Sequence, residues 1–171
     1  MNRNPMFAIA TLTSLLAAGS HADIAVEFVE SAPKDRFVFE NVGTCPISSA
    51  TLIIDLSGSS AGLIFDVTAS GAGVQVFQPF ELVAGAQHLA GAPKVADGDT
   101  GLTLPVSTWA PGATIAFTID VDDTINQREI TVSGTEISGA EVRLVRDGTV
   151  YIGTFSDAAR ALIKLPPCPT T

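Results

Sequence analysis

The chain has 171 residues, of which 46% are hydrophobic, and a formal net charge of −9 from nine Lys and Arg against eighteen Asp and Glu. An acidic surface of this strength repels nucleic-acid phosphates and anionic lipid headgroups, which excludes nucleic acid as a partner. The same surface favours solubility and, where carboxylates converge, the binding of cations.

The first 22 residues have the organisation of a secretory leader. A short stretch with one positive charge and no acid precedes the apolar residues 7–18, and small residues follow at Ser20 and Ala22, two positions that a signal peptidase reads. The apolar run is shorter than the roughly 20 residues that cross a bilayer, so a membrane anchor is the less favoured alternative. We expect a signal peptide over residues 1–22, one mature domain over residues 23–171 without a transmembrane segment, and a secreted or periplasmic protein.

Short runs with apolar residues at every second position follow one another along the mature chain, separated by Gly, Pro, Ser and Asp. Alternation of this kind is typical of strands with one buried face. In chain order the runs lie near residues 24–28, 37–39, 52–56, 63–67, 74–76, 80–83, 102–106, 115–121, 130–132, 142–144 and 150–152, and residues 157–163 lead into a last strand. About nine to eleven strands without a convincing helix predict an all-β domain, a two-sheet antiparallel β-sandwich of jelly-roll or immunoglobulin-like type. A closed barrel is the alternative.

Three local features refine this prediction. Asp147-Gly148 suits a two-residue type I′ turn and predicts a hairpin. Pro105 indicates that residues 101–106 form an edge strand, which could pair with another copy of the chain. Oligomeric state is otherwise open. The Gly- and Ala-rich residues 84–99 are predicted to form a long loop, and such loops often carry binding sites.

The mature part contains two cysteines, Cys45 and Cys168. An exported chain meets an oxidising compartment, so we expect one disulfide between them. It would join the Pro-rich carboxyl-terminal tail to the loop that contains Cys45. No CxxC spacing supports a metal or redox role.

Aspartates form the best candidate for a functional site. Asp120 and Asp122 lie two residues apart on a predicted strand and therefore share a face, about 6.5–7 Å apart, while their apolar neighbours point into the core. Asp123 follows where the strand ends, and Asp97 and Asp99 form a second pair in the preceding loop. Carboxylate oxygens are what Ca²⁺ prefers, so these five residues are the predicted metal ligands. The alternative is a solvated strand end with turn-forming aspartates.

Aromatic and catalytic candidates are few. Sugar stacking needs exposed Trp or Tyr, and the chain has one of each. Trp109 precedes a turn and either serves as a sugar platform or fills one end of the core. Tyr151 is predicted on the outer face of its strand. These two residues support a carbohydrate-binding module as an alternative function.

Catalytic residues have little support, because the mature part has one histidine, His88, and no Gly-x-Ser-x-Gly motif. We therefore expect no enzyme, with a small secreted hydrolase as a further alternative.

Several segments resemble secreted bacterial proteins labelled "aggregation factor core", after the core protein of the sponge aggregation factor. They are VEFVESAPKDRFVFEN at residues 26–41, GTCP at 43–46, GLIFDV at 62–67, FQPFEL at 77–82, IDVDDT at 119–124 and REITVSGTEISGA at 128–140. The resemblance implies an extracellular β-sandwich with a structural, adhesive or ligand-binding role. It also implies calcium-dependent contact with a cell-surface glycan or protein. We therefore expect a secreted binding or adhesion module with Ca²⁺ as its cofactor.

Overall fold

The computed structural model describes residues 21–31, 34–71, 73, 77–125 and 132–168. Within these ranges the chain forms ten strands and two short 3-10 turns, with no α-helix. The strands are β1 (Ile24–Val29), β2 (Asp35–Asn41), β3 (Ile47–Asp55), β4 (Ile64–Asp66), β5 (Glu81–Ala84), β6 (Gly101–Trp109), β7 (Thr114–Asp122), β8 (Glu141–Arg146), β9 (Thr149–Thr154) and β10 (Arg160–Ile163). The 3-10 turns are Leu56–Gly58 and Ala86–His88.

The strands form two antiparallel sheets, which confirms the predicted all-β sandwich. Sheet one has the order β10-β1-β2-β7, and both β4 and β5 pair with the far edge of β7. Sheet two has the order β6-β3-β8-β9. The predicted strands at residues 74–76 and 130–132 lie largely outside the described residues. No helix in the described ranges is long and apolar enough to span a membrane.

The core lies between the inner faces of the two sheets, where alternate residues of most strands are buried. Phe37 of β2 lies opposite Phe117 of β7, and their rings stack with centroids 5.3 Å apart. Phe155, which follows β9 of sheet two, meets Phe37 edge-on with centroids 6.4 Å apart. Aromatic rings bury large apolar areas, so these contacts hold the two sheets together.

The predicted hairpin at Asp147-Gly148 and the predicted edge strand with Pro105 are both present in sheet two, but the edge strand is not open to a partner. Asp147 and Gly148 join β8 to β9 with positive φ angles of 51° and 75°, as a type I′ turn requires. Pro105 does lie on the edge strand β6. The outer side of β6 is not open, however, because β-bridges join Leu89 to Val106 and Lys94 to Thr103.

The predicted long loop over residues 84–99 is therefore more ordered than expected. It contains the end of β5, a 3-10 turn and these two bridges. The backbone N–H of Lys94 donates to the Thr103 carbonyl at 3.0 Å, and Thr103 returns the bond at 3.1 Å. Because the segment occupies the edge, β6 is not available to pair with a second copy as it stands.

The predicted disulfide joins Cys45 to Cys168. It attaches the tail to the loop between β2 and β3. A second contact holds the same tail, since the backbone N–H of Leu165 donates to the Asp23 carboxylate at 3.0 Å. Asn41 holds the loop, because its side-chain amide donates to the carbonyls of Cys45 and Trp109 at 3.0 and 3.1 Å.

Gly153 lies where β9 of sheet two approaches β10 of sheet one. A Cβ built on Gly153 would stand 2.8 Å from the carbonyl atoms of Leu162 and 3.1 Å from the backbone nitrogen of Ile163. Because that contact is with backbone, relief requires the two strands to separate. We expect Gly153→Ala to lower the free energy of unfolding by about 1–3 kcal/mol in urea titrations.

Gly101→Ala is the matched control for this substitution. Gly101 also lies in a strand of sheet two, but nothing approaches its Cβ position within 4 Å. We expect Gly101→Ala to change the free energy of unfolding by no more than about 0.5 kcal/mol. Equal effects of the two substitutions would contradict the close packing of β9 and β10.

Candidate functional site

The end of β7 carries Asp120 and Asp122 on one face, as predicted. Ile119 and Val121, which alternate with them, are buried in the core between the sheets. Asp66 of β4 pairs directly with Asp120 across the strands. Paired residues on neighbouring antiparallel strands project to the same side, so Asp66, Asp120 and Asp122 share the outer face of sheet one.

These three aspartates are buried although they lie on an outer face. The exposed fractions are 0% for Asp66, 5% for Asp120 and 3% for Asp122. Three of their carboxylate oxygens have no hydrogen-bond partner among the described residues. They are both oxygens of Asp66 and Oδ2 of Asp120. Burying an ionised carboxylate without a partner costs several kcal/mol, so an ionised Asp66 is costly in this position.

Asp97 joins this cluster from the segment before β6. Its Oδ1 accepts hydrogen bonds from the backbone N–H groups of Val67 and Thr68, both at 2.9 Å, which fixes the side chain beside the end of β4. The Asp97 carboxylate also contributes to the raised pKa of Asp66, so like charges act on each other when both groups are ionised.

Two glycines cover the cluster. A Cβ on Gly73 would overlap carboxylate oxygens of Asp66 and Asp122, and a Cβ on Gly71 would overlap the Asp97 carboxylate. The backbone at these two glycines therefore lies against three of the four carboxylates, and a side chain there would require those carboxylates to move. We call Asp66, Asp97, Asp120 and Asp122 the acidic site: three come from the edge of sheet one and one from the segment leading into sheet two.

Burial and mutual repulsion shift the pKa values in the acidic site. Desolvation is the main cause that raises the pKa of Asp66 to about 6, with further contributions from Asp97 and Asp122. Desolvation also raises the pKa of Asp120 to about 7, assisted by the charges of Asp122 and Asp66. Every charged neighbour that shifts these two groups is another carboxylate, so no Lys or Arg of the described chain neutralises them.

Asp35 at the start of β2 is a buried neighbour of the site that sequence reasoning missed. Its carboxylate accepts the backbone N–H of Val121 at 3.2 Å and that of Ser31 at 3.3 Å. Desolvation raises the pKa of Asp35 to about 8 against these hydrogen bonds, and the charges of Asp120 and Asp122 add to the rise. Asp35 therefore adds a further negative charge to the surroundings of the acidic site when it ionises.

The other two predicted metal ligands have different placements. Asp99 is exposed, and its Oδ2 accepts the Ala96 backbone N–H at 2.7 Å, so this side chain closes its own turn. Asp123 is 5% exposed just beyond β7. Within the described ranges, no three metal-binding side chains already form a complete metal-ligand group. A cation would have to draw the carboxylates of the acidic site together.

Trp109 lies in the interior, and Tyr151 is partly buried against the core. Trp109 is fully buried, and its Nε1 donates to the Ala113 carbonyl at 2.9 Å, so its ring offers no face for a sugar. Tyr151 pairs with Leu144 and packs against the core. The prediction that Tyr151 lies on the outer face is wrong, because Val150 and Ile152 occupy that face, 49% and 52% exposed.

His88 also serves a structural role. It is 8% exposed, and its Nδ1 lies 2.8 Å from the Thr108 carbonyl oxygen, to which it donates. The hydroxyl of Ser107 donates to the backbone carbonyl of His88 at 3.1 Å and not to its ring. The geometry thus offers no Ser-His pair at this position.

Comparison with known proteins adds little to this geometry. No family model matches the chain, and no curated protein matches it. One solved structure is similar: a biomass-sensing module from an RsgI-like protein of Clostridium thermocellum, described as resembling the family 3 carbohydrate-binding module of the cellulosome. The similarity covers 76% of this chain and 95% of that one, with 12% identity and a TM-score of 0.35. A superposition this loose carries no inference about a ligand.

Proposed function

We propose that the chain is an exported β-sandwich binding module that holds a Ca²⁺ ion at the acidic site. The observation that carries this proposal is the Asp66 carboxylate, which is completely buried and has no hydrogen-bond partner in the described chain. An ionised group in this position needs an opposite charge, and the neighbouring groups that act on it are carboxylates. A bound cation supplies that charge.

The donor set favours calcium over softer metals. All four side chains of the acidic site are carboxylates, and hard cations such as Ca²⁺ bind oxygen. Ca²⁺ takes six to eight oxygens in flexible geometry, a number that four mono- or bidentate carboxylates can approach. Extracellular modules typically bind Ca²⁺ with dissociation constants of about 10⁻⁴–10⁻³ M, and we expect this range here.

A cation at the acidic site would stabilise the fold and would not itself coordinate a partner molecule. Asp66, Asp120 and Asp122 are almost completely buried, and only Asp97 is partly exposed, so little of the coordination sphere is open to a glycan hydroxyl from solvent. The ion would instead join the β4–β7 edge of sheet one to the segment before β6. The adhesive or glycan- or protein-binding role expected from the family resemblance belongs to the same proposal, with calcium ordering the module that performs it.

The test is a thermal unfolding experiment with and without millimolar Ca²⁺. Ca²⁺ at about 10 mM is roughly 10–100 times the expected dissociation constant and stabilises the protein by about 1.4–2.7 kcal/mol, which corresponds to a rise in Tm of about 3–10 °C for a domain of this size. We expect this rise for the wild-type protein and its complete loss in the double variant Asp66→Asn, Asp120→Asn. The double variant should otherwise be at least as stable as metal-free wild type at pH 8, because it removes two repelling charges.

Asp147→Asn is the control, because it removes one carboxylate from an exposed hairpin and leaves the acidic site intact. This variant should keep the full calcium-dependent rise. Absence of any rise in the wild-type protein would refute the cation site, and an equal rise in the double variant would show that calcium acts elsewhere.

A further inference from the structure

The two residues before Asp23 are part of the folded domain. Ala22 is 2% exposed and belongs to the core. The backbone carbonyl of His21 accepts the N–H of Thr44 at 2.6 Å, and His21 forms a β-bridge with Pro167 of the tail. Removal of these residues would uncover part of the core beside the disulfide.

Gly43 supplies an independent reason to keep them. A Cβ on Gly43 would overlap backbone atoms of His21 and Ala22. Gly43 is not among the glycines with a positive φ angle, so its backbone conformation does not require glycine. The missing side chain is needed only because the chain at His21 and Ala22 occupies that space.

We propose that the leader is removed at the Ser20–His21 bond, so that the processed chain begins at His21 and not at Asp23. Ala18 and Ser20 then supply the two small residues, separated by one position, that a signal peptidase reads. Water adds across the Ser20–His21 amide, leaving a carboxylate on Ser20 and an amine on His21. The proposal relies on export of the chain, which is part of the proposed function, but not on the cation site.

The test is the intact mass and amino-terminal sequence of the protein secreted from a bacterial host that expresses the full chain. We expect His21 as the first residue. A chain that begins at Asp23, or one that keeps its leader, would overturn the proposal. Neither result would alter the calcium titration of the purified domain, so failure here and failure of the cation site are distinguishable.

Two substitutions separate the competing cleavage positions. A signal peptidase reads Ala18 and Ser20 for a cut before His21, and Ser20 and Ala22 for a cut before Asp23. Ala18→Gln therefore places a large polar side chain at a position that matters only for the first cut. Ala22→Gln does the reverse. We expect Ala18→Gln to reduce processing at least tenfold and Ala22→Gln to leave it unchanged, measured by mass in denatured extracts so that folding plays no part. The opposite pattern would assign the cut to the Ala22–Asp23 bond.

Discussion

The protein freed of divalent cations should lose stability as the pH rises from about 5 to about 8. The pKa values of Asp66, Asp120 and Asp35 are raised from 3.8 to about 6, 7 and 8 in the folded chain, mainly by desolvation. Between the unfolded and folded values the folded state binds more protons than the unfolded state. Stability then falls with increasing pH, by about 1.4 kcal/mol per pH unit for each proton involved.

The measurement is a series of urea titrations at different pH values with a chelator present. Ionised surface carboxylates give no such decline, so the slope isolates the buried groups. Asp66→Asn with Asp120→Asn should make the decline shallower between about pH 5 and 7, where the contribution of Asp35 remains, whereas Asp147→Asn should leave it as in wild type. A metal-free protein whose stability is constant or increases over this range would contradict the buried, uncompensated charges.

Loss of the disulfide should have an effect of similar size. Cys45 and Cys168 are separated by 123 positions, and closing a loop of that length restricts the unfolded chain by about 5 kcal/mol in the chain-entropy model. We expect the double variant Cys45→Ser, Cys168→Ser to unfold at a correspondingly lower urea concentration. Fluorescence of Trp109 reports the transition, because its ring is fully buried in the folded state.

Reduced wild-type protein is the control for the serine variant, since it lacks the cross-link but retains both sulfur atoms. The two should unfold at similar urea concentrations. The loop that contains Cys45 should stay folded at low urea in both, because Asn41 binds its carbonyl independently of the disulfide. An unchanged midpoint after loss of the cross-link would show that the tail does not restrain the unfolded chain.

Periodicity along single strands predicted much of the fold and part of the site. The alternation from Ile115 to Val121 predicts β7, and the same period of two places Asp120 and Asp122 together on the opposite face. Periodicity gave the wrong face for Tyr151, because Val150-Tyr151-Ile152 is apolar on both faces of an edge strand. A pattern with no polar side cannot show which face is buried.

Residues that depend on pairing between distant strands could not be predicted in this way. Asp66 ends a strand of three residues, too short to show a period, and joins the site only through the register between β4 and β7. Asp35 lies between Lys34 and Arg36, in a charged stretch that is typical of a solvated turn. The signal that points to Asp66 is a single acid directly after apolar residues in Leu63-Ile64-Phe65, where a solvated position is unexpected.

Calorimetric titration of the chelator-treated domain with Ca²⁺ at about pH 7, in two buffers with different ionisation enthalpies, tests the cation site most directly. Because the pKa values of Asp66 and Asp120 are about 6 and 7 without metal, a bound ion must displace protons as it binds. We predict saturable binding with proton uptake by the buffer, and neither signal in the Asp66→Asn, Asp120→Asn variant. Titrations of wild-type protein that show no binding heat in either buffer would contradict a calcium-binding module.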